Sequence, residues 1–221
     1  MMPNHHPDEL ILAEYSSNAL GDAQSVFIAS HLTLCPQCRS TCNSFDQIGG
    51  VGIEENEATD LNPETYDKVL DQLDAEYEDT FPTPIPTEQL ENTLSIPFPI
   101  HQRVIDDPNF SNWKQLINNI YYLELETSDP NSSIRLMKLP PKTKIPSHTH
   151  GGSEYTMVLS GSFFDKFGNY ESGDVAIRDE SETHKPIVDS SDDCICLVVT
   201  EAPLELKGPI GFLAKVLNFW K

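Results

Sequence analysis

The chain has 221 residues with 35 acidic against 14 basic side chains, a formal net charge of −21. That balance argues against DNA, RNA or anionic lipid as a direct partner, because phosphate recognition needs clustered Lys and Arg, and it favours a basic protein surface. There is no run of about 18 apolar residues and no basic-then-apolar leader, and the cysteine usage suits a reducing compartment, so a cytoplasmic protein without a membrane span is expected.

Residues 8–20 read as a short amphipathic helix with Ile11, Leu12 and Tyr15 on its apolar side, closed by Gly21. Asp22 is placed to cap a second helix through Val26, Phe27, Ile28 and His31, and a third is expected from about Pro36 to Ile48, stopping at Gly49-Gly50. Three short helices make a thin core for about fifty residues, a size at which a metal site commonly supplies the missing stability.

The residues for such a site are present. His31, Cys35 and Cys38 lie within eight positions, and Cys35 and Cys38 are three apart, so both sulfurs leave a helix start on one side. Pro36 suits a first helical position, and a helix N-terminus favours the thiolate. A closed tetrahedral site needs a fourth ligand, for which His6 is preferred over His5, with Cys42 as the alternative. The plain reading is a reduced Cys-x-x-Cys beside an unrelated histidine. The pattern His6…His31-x-x-x-Cys35-x-x-Cys38 resembles the zinc-binding anti-sigma factors, and within them the ChrR type, which carries a cupin domain behind the anti-sigma domain.

Beyond it lies an acidic stretch in which Pro63 starts a further helical pattern. Tyr66, Val69, Leu70 and Leu73 form its apolar stripe, and Glu64, Asp67, Asp71 and Asp74 its other face. Up to residue 96 there are 18 acidic residues against Arg39 and Lys68 alone. Such a helix is usually a packed satellite. Set between an acidic spacer and Pro82, Pro84 and Pro86, this one reads as a partner-binding element.

From about Leu94 the pattern changes to strands: 120–126, 134–139, 155–159, 175–177 and 194–200, separated by Pro, Gly, Asn, Ser and Asp. This predicts a jelly-roll barrel or sandwich. His148 and His150 share a strand face, Glu154 follows a Gly-Gly turn, and His184 lies beyond a turn at Gly173-Asp174. The segment resembles the two cupin motifs, with His148, His150, Glu154 and His184 at the metal-ligand positions; it departs from them at Ser172, where the family often has Pro, and in lacking an Asn after His184. Zinc is the expected ion there, with iron, manganese and nickel as alternatives. Cys194 and Cys196 share a strand face and read first as small buried side chains, with a redox pair as the alternative.

The fold class expected is a two-domain α + β chain, a small zinc-clasped helical domain followed by an all-β cupin. The boundaries are 1–80 for the helical anti-sigma domain, 81–95 for a Pro-rich linker, 96–210 for the cupin and 211–221 for a tail helix. The resemblance implies a regulator that binds an extracytoplasmic-function sigma factor and keeps it from RNA polymerase. It also implies zinc in the first site and a cupin domain needed for release under singlet-oxygen or organic-hydroperoxide stress. It implies no catalytic activity. The rival is a metal-dependent cupin dioxygenase or isomerase with an N-terminal zinc adapter, and a third reading is a cupin that only senses a small ligand.

Overall fold

The computed structural model describes residues 2–57, 60, 62–74, 96–101, 103, 112–117, 119–202 and 204–206. The predicted linker and tail helix lie outside them. The helices are α1 (Glu9–Ser16), α2 (Asp22–Leu34), α3 (Pro36–Glu54), α4 (Pro63–Asp74) and the single turn α5 (Phe98–His101). The strands are β1 (Lys114–Ile117), β2 (Ile120–Leu125), β3 (Ser133–Leu139), β4 (His148–His150), β5 (Glu154–Ser160), β6 (Ser162–Asp165), β7 (Gly168–Glu171), β8 (Val175–Arg178), β9 (Ile187–Val188), β10 (Cys194–Thr200) and β11 (Leu204–Leu206).

Three helix ends differ from the sequence reading. Asp8 caps α1 by accepting the Ile11 N–H at 2.9 Å, and the helix ends at Ser16 with Asn18, not Gly21, in the left-handed region (φ 57°). Gly21 is the N-cap of α2, and Asp22 is its first residue. The Asp22 carboxylate is taken up instead by Arg103 (2.5 and 3.0 Å), the Thr127 hydroxyl (3.0 Å) and the Ser128 N–H (2.9 Å). The third difference is that α3 does not stop at Gly49-Gly50 but continues to Glu54. Glycine weakens a helix interior by only about 1 kcal/mol, which the intact hydrogen-bond ladder absorbs.

Among the strands, β1-β2-β3-β10-β5-β8 form a six-stranded antiparallel sheet, flanked by β7-β6-β9 and by β11-β4. Side-chain alternation sends the two faces of this sheet into two different cores. Along β10, Cys194 and Cys196 enter the barrel interior with Phe163, Tyr170 and Val188, whereas Ile195, Leu197 and Val199 face outward. Along β5, Val158 points in, and Tyr155, Met157 and Leu159 point out. The outward set is covered by the helices: Leu12, Ala23, Val26, Phe27 and Ile28 belong to the same buried cluster. A strand covered on both faces needs apolar residues at successive positions, which is why β10 reads Cys-Ile-Cys-Leu-Val-Val.

Phe27 is completely buried and meets Tyr155 edge to face with centroids 5.6 Å apart. Gln24 adds a bond to Glu201 at 2.8 Å. The helices therefore do not close a core of their own; α2 completes it on the outside of the barrel.

Candidate metal centres

The N-terminal cluster forms where α2 meets α3. Cys35 is the junction residue, ending α2 and capping α3, with its Sγ accepting the Cys38 N–H at 3.4 Å. His31 Nε2 lies 3.3 Å from Cys38 Sγ, and His6 Nδ1 lies 3.4 and 3.5 Å from the two sulfurs. The opposite nitrogen of His31, Nδ1, faces the Gly173 carbonyl at 3.1 Å, which can only accept, so Nδ1 carries the proton and Nε2 presents a lone pair to the cluster. His6, His31, Cys35 and Cys38 thus bring four ligand atoms within 4.8 Å of one another. His5 is turned away, its ring 4.6 Å from that of Tyr170, and Cys42 is buried beside α1 outside the group.

Burial pushes the Cys38 thiol up to about 12, with Cys35 adding to the effect, and holds His31 down at about 4. Burial and Cys35 thus oppose the thiolate form of Cys38 that a helix N-terminus favours, and a bound cation would stabilise it, since metal binding and thiol deprotonation are linked.

The second cluster is inside the barrel. His148 and His150 come from β4, Glu154 opens β5, and His184 is joined to His148 by a backbone bridge, with N–H to carbonyl bonds of 3.1 and 3.0 Å in the two directions. All four are buried and their ligand atoms lie within 4.8 Å of one another. His184 Nε2 sits 2.8 Å from His148 Nε2 and 3.2 Å from His150 Nε2, and its distance to Glu154 Oε1 is 3.7 Å.

The protons of two of these rings are accounted for elsewhere. His148 Nδ1 donates to the Pro146 carbonyl at 2.8 Å, and His184 Nδ1 to Asp165 Oδ2 at 3.0 Å. The two Nε2 atoms therefore oppose lone pair to lone pair at hydrogen-bond distance, an arrangement that a cation between them resolves. Burial depresses His148 to about 4 and His150 to about 3, and raises Glu154 to about 7. Three neutral imidazoles and a carboxylate converging in a buried site fit a first-row divalent metal.

A cavity of about 620 Å³ opens beside this cluster. Met137, Leu139, Ile145, Phe163 and Val198 form its apolar wall, and Glu124, Arg135 and Glu201 are among its polar residues. Cys194 and Cys196 also line it, both buried and free, with sulfurs 3.6 Å apart. The bond to Cys194, together with burial, pushes the Cys196 thiol well up. On α4, Tyr66, Val69 and Leu70 are exposed at 59, 48 and 40 %, and Leu73 belongs to the same helix. Among the described residues no helix is long and apolar enough to cross a membrane.

A family profile described as ChrR Cupin-like domain matches residues 101–203. Anti-sigma-E factor ChrR of Cereibacter sphaeroides is 30 % identical over 219 residues, which is 99 % of this chain and 98 % of that protein. The chain belongs to the ChrR anti-sigma family. The crystal structure of Rhodobacter sphaeroides SigE in complex with the anti-sigma ChrR superposes with a TM-score of 0.71 at 29 % identity, covering 90 % of this chain and 99 % of the matched one.

In this ChrR-family chain the sequence pointed to both ligand sets but not to the groups that orient them. Asp165 stands in Phe-Phe-Asp-Lys-Phe-Gly, where it reads as a hairpin-turn acid; it does accept the Phe167 and Gly168 N–H groups with Oδ1 while its Oδ2 holds His184. The carbonyls of Pro146 and Gly173 leave no signature, because every residue carries one.

Proposed function

We propose that this chain binds an extracytoplasmic-function sigma factor in the cytoplasm and withholds it from RNA polymerase. Zinc in the His6–His31–Cys35–Cys38 cluster would fix the α2–α3 junction, and the apolar stripe of the acidic α4, exposed at Tyr66, Val69 and Leu70 and continued in sequence by Leu73, would be a docking element for the partner. The observation that carries this reading is the likeness to an anti-sigma factor along 99 % of the chain. Two tetradentate clusters on one polypeptide support it.

The barrel is the release domain in this reading. A metal held by His148, His150, Glu154 and His184 would tie β4, the start of β5 and the segment carrying His184 into one unit. Zinc suits the ligand set, as do iron, manganese and nickel. Loss or oxidation of a ligand would untie these parts and alter the surface that the barrel presents to α2. Singlet oxygen and organic hydroperoxides are the stresses proposed to act here, and Cys194 and Cys196, side by side in the cavity wall, are candidates for a redox role. The test is His148→Ala or Glu154→Ala in the full chain: sigma binding is retained and stress-triggered release is blunted. Loss of sigma binding in these variants would refute the division of labour.

The enzyme reading draws on the same cavity, whose volume beside the ligand set would admit a small organic substrate. Turnover of such a substrate, abolished by His148→Ala, would replace the release reading with catalysis.

A further inference from the structure

The N-terminal cluster is not built by the helices alone. The arm that delivers His6 runs along the turn between β7 and β8, and that turn holds it by its backbone. Asp174 Oδ1 accepts both the Asn4 N–H (2.6 Å) and the His5 N–H (3.0 Å), and the Val175 N–H donates to the His5 carbonyl at 3.2 Å. Asp174 is only 2 % exposed, and its other oxygen takes the Glu171 N–H at 2.9 Å, so the carboxylate ties the arm to the turn itself. One residue earlier, the Gly173 carbonyl accepts the His31 Nδ1 proton at 3.1 Å. Gly173 has φ +92°, and a Cβ there would come within 2.8 Å of Pro3 Cγ, so the arm lies directly on the turn.

Two of the four ligands, His6 and His31, are therefore oriented from the barrel, and only the two cysteines depend on the helical junction alone. The same turn continues into the barrel interior. Tyr170 stacks on Phe163 of the cavity wall, with centroids 4.8 Å apart, and also meets the His5 ring, with centroids 4.6 Å apart. A rearrangement of the cavity wall thus has a packed route to the residue before His6.

We propose that Asp174 is a positioning residue of the N-terminal metal site, and that the turn 171–175 makes the metal affinity of the helical cluster a property of the barrel. The proposal rests on the reading that His6, His31, Cys35 and Cys38 hold a metal. A carboxylate that anchors the backbone next to a ligand acts as an outer-sphere partner, and removing such partners costs about 10–100-fold in metal affinity.

Cobalt(II) reports on this cluster selectively in the full-length chain, because the cysteine sulfurs give a thiolate-to-cobalt charge-transfer band that the His/Glu site in the barrel lacks. Wild type should show the band, and Cys35→Ala with Cys38→Ala should abolish it; if wild type shows none, the metal reading itself fails. Asp174→Ala should keep the band at saturation but require about 10–100-fold more cobalt, with ligand-field bands altered as His6 detaches. Wild-type affinity with unchanged ligand-field bands in Asp174→Ala would overturn the positioning role while leaving the metal reading intact.

Should Asp174→Ala not fold, Gly173→Ala in a chain that also carries Pro3→Gly gives a second route. Gly173→Ala alone pushes Pro3 and weakens cobalt binding. Adding Pro3→Gly removes that clash and restores the affinity, although the strained φ still lowers the melting temperature. Failure of Pro3→Gly to restore cobalt affinity would refute the proposal.

Discussion

Asp165→Asn changes one atom in the barrel and should loosen the metal without touching a ligand. The Asp165 side chain is fully buried, and its Oδ2 accepts the His184 Nδ1 proton at 3.0 Å while Oδ1 serves the Phe167 and Gly168 N–H groups. Although burial alone would raise it, the bonds from His184 and the Phe167 N–H hold this carboxyl below its ordinary range. The substitution puts an NH₂ opposite the ring N–H of His184, donor against donor. Either the proton moves to Nε2, which removes the lone pair aimed at the metal, or the amide rotates and gives up the two turn bonds. A buried donor left without a partner costs about 1–3 kcal/mol, and loss of an outer-sphere partner of a ligating histidine weakens metal binding about 10–100-fold, or roughly 1.4–2.8 kcal/mol. The two routes give the same magnitude. The assay is zinc competition against a chromophoric chelator, run in a Cys38→Ala background so that only the barrel site is titrated. Unchanged zinc affinity in Asp165→Asn would show that the His184–Asp165 bond does not set the metal-facing nitrogen.

Other outcomes follow from the same geometry. Phe27→Ala removes a fully buried ring from the seam between α2 and β5 and should cost about 3–5 kcal/mol in chemical denaturation; a loss as small as that of an exposed site would mean that the seam is not a core. In the metal-free chain His31, His148 and His150 are held by burial below the ordinary 6.5, at about 4, 4 and 3, so they stay neutral when folded and take protons when unfolded. Their contribution is complete above pH 6.5 and is lost as the pH falls from 6.5 towards about 4, and the melting temperature should fall with it. Glu154, raised by burial to about 7, has the opposite sign: it costs stability once ionised, so Glu154→Gln should stabilise the metal-free chain at pH 8 and scarcely at pH 5, and equal effects at both would contradict the assignment. Tyr66→Ser with Val69→Ser on the exposed face of α4 should weaken sigma binding while leaving thermal stability unchanged, as read by calorimetry of binding and of unfolding.

Both candidate clusters were legible because metal chemistry restricts residue type and spacing together: two cysteines a helical turn apart, two histidines on one strand face, and a glutamate after a Gly-Gly turn. The five longest apolar runs gave strands at or within two residues of β2, β3, β5, β8 and β10. β4 was legible through the shared strand face of His148 and His150, whereas β1, β6, β7, β9 and β11, of two to four residues each, carry no readable period and were missed. The relation between the two halves was also hidden. The apolar face of α2 reads the same whether it meets another helix or a sheet, and only the structure shows Phe27 against Tyr155 and Asp22 against Arg103. The anchoring of the His6 arm by Asp174 was invisible for a related reason, because it joins side chain to backbone across 169 and 170 positions.

The most direct test of the account is binding of the cognate extracytoplasmic-function sigma factor to the full-length, zinc-loaded chain, followed by size-exclusion chromatography and calorimetry beside Cys38→Ala. The account predicts a stoichiometric complex with the wild-type chain and none with the variant, whose barrel still folds and still binds its own metal. Absence of a complex with the zinc-loaded wild type, or equal binding by Cys38→Ala, would contradict it.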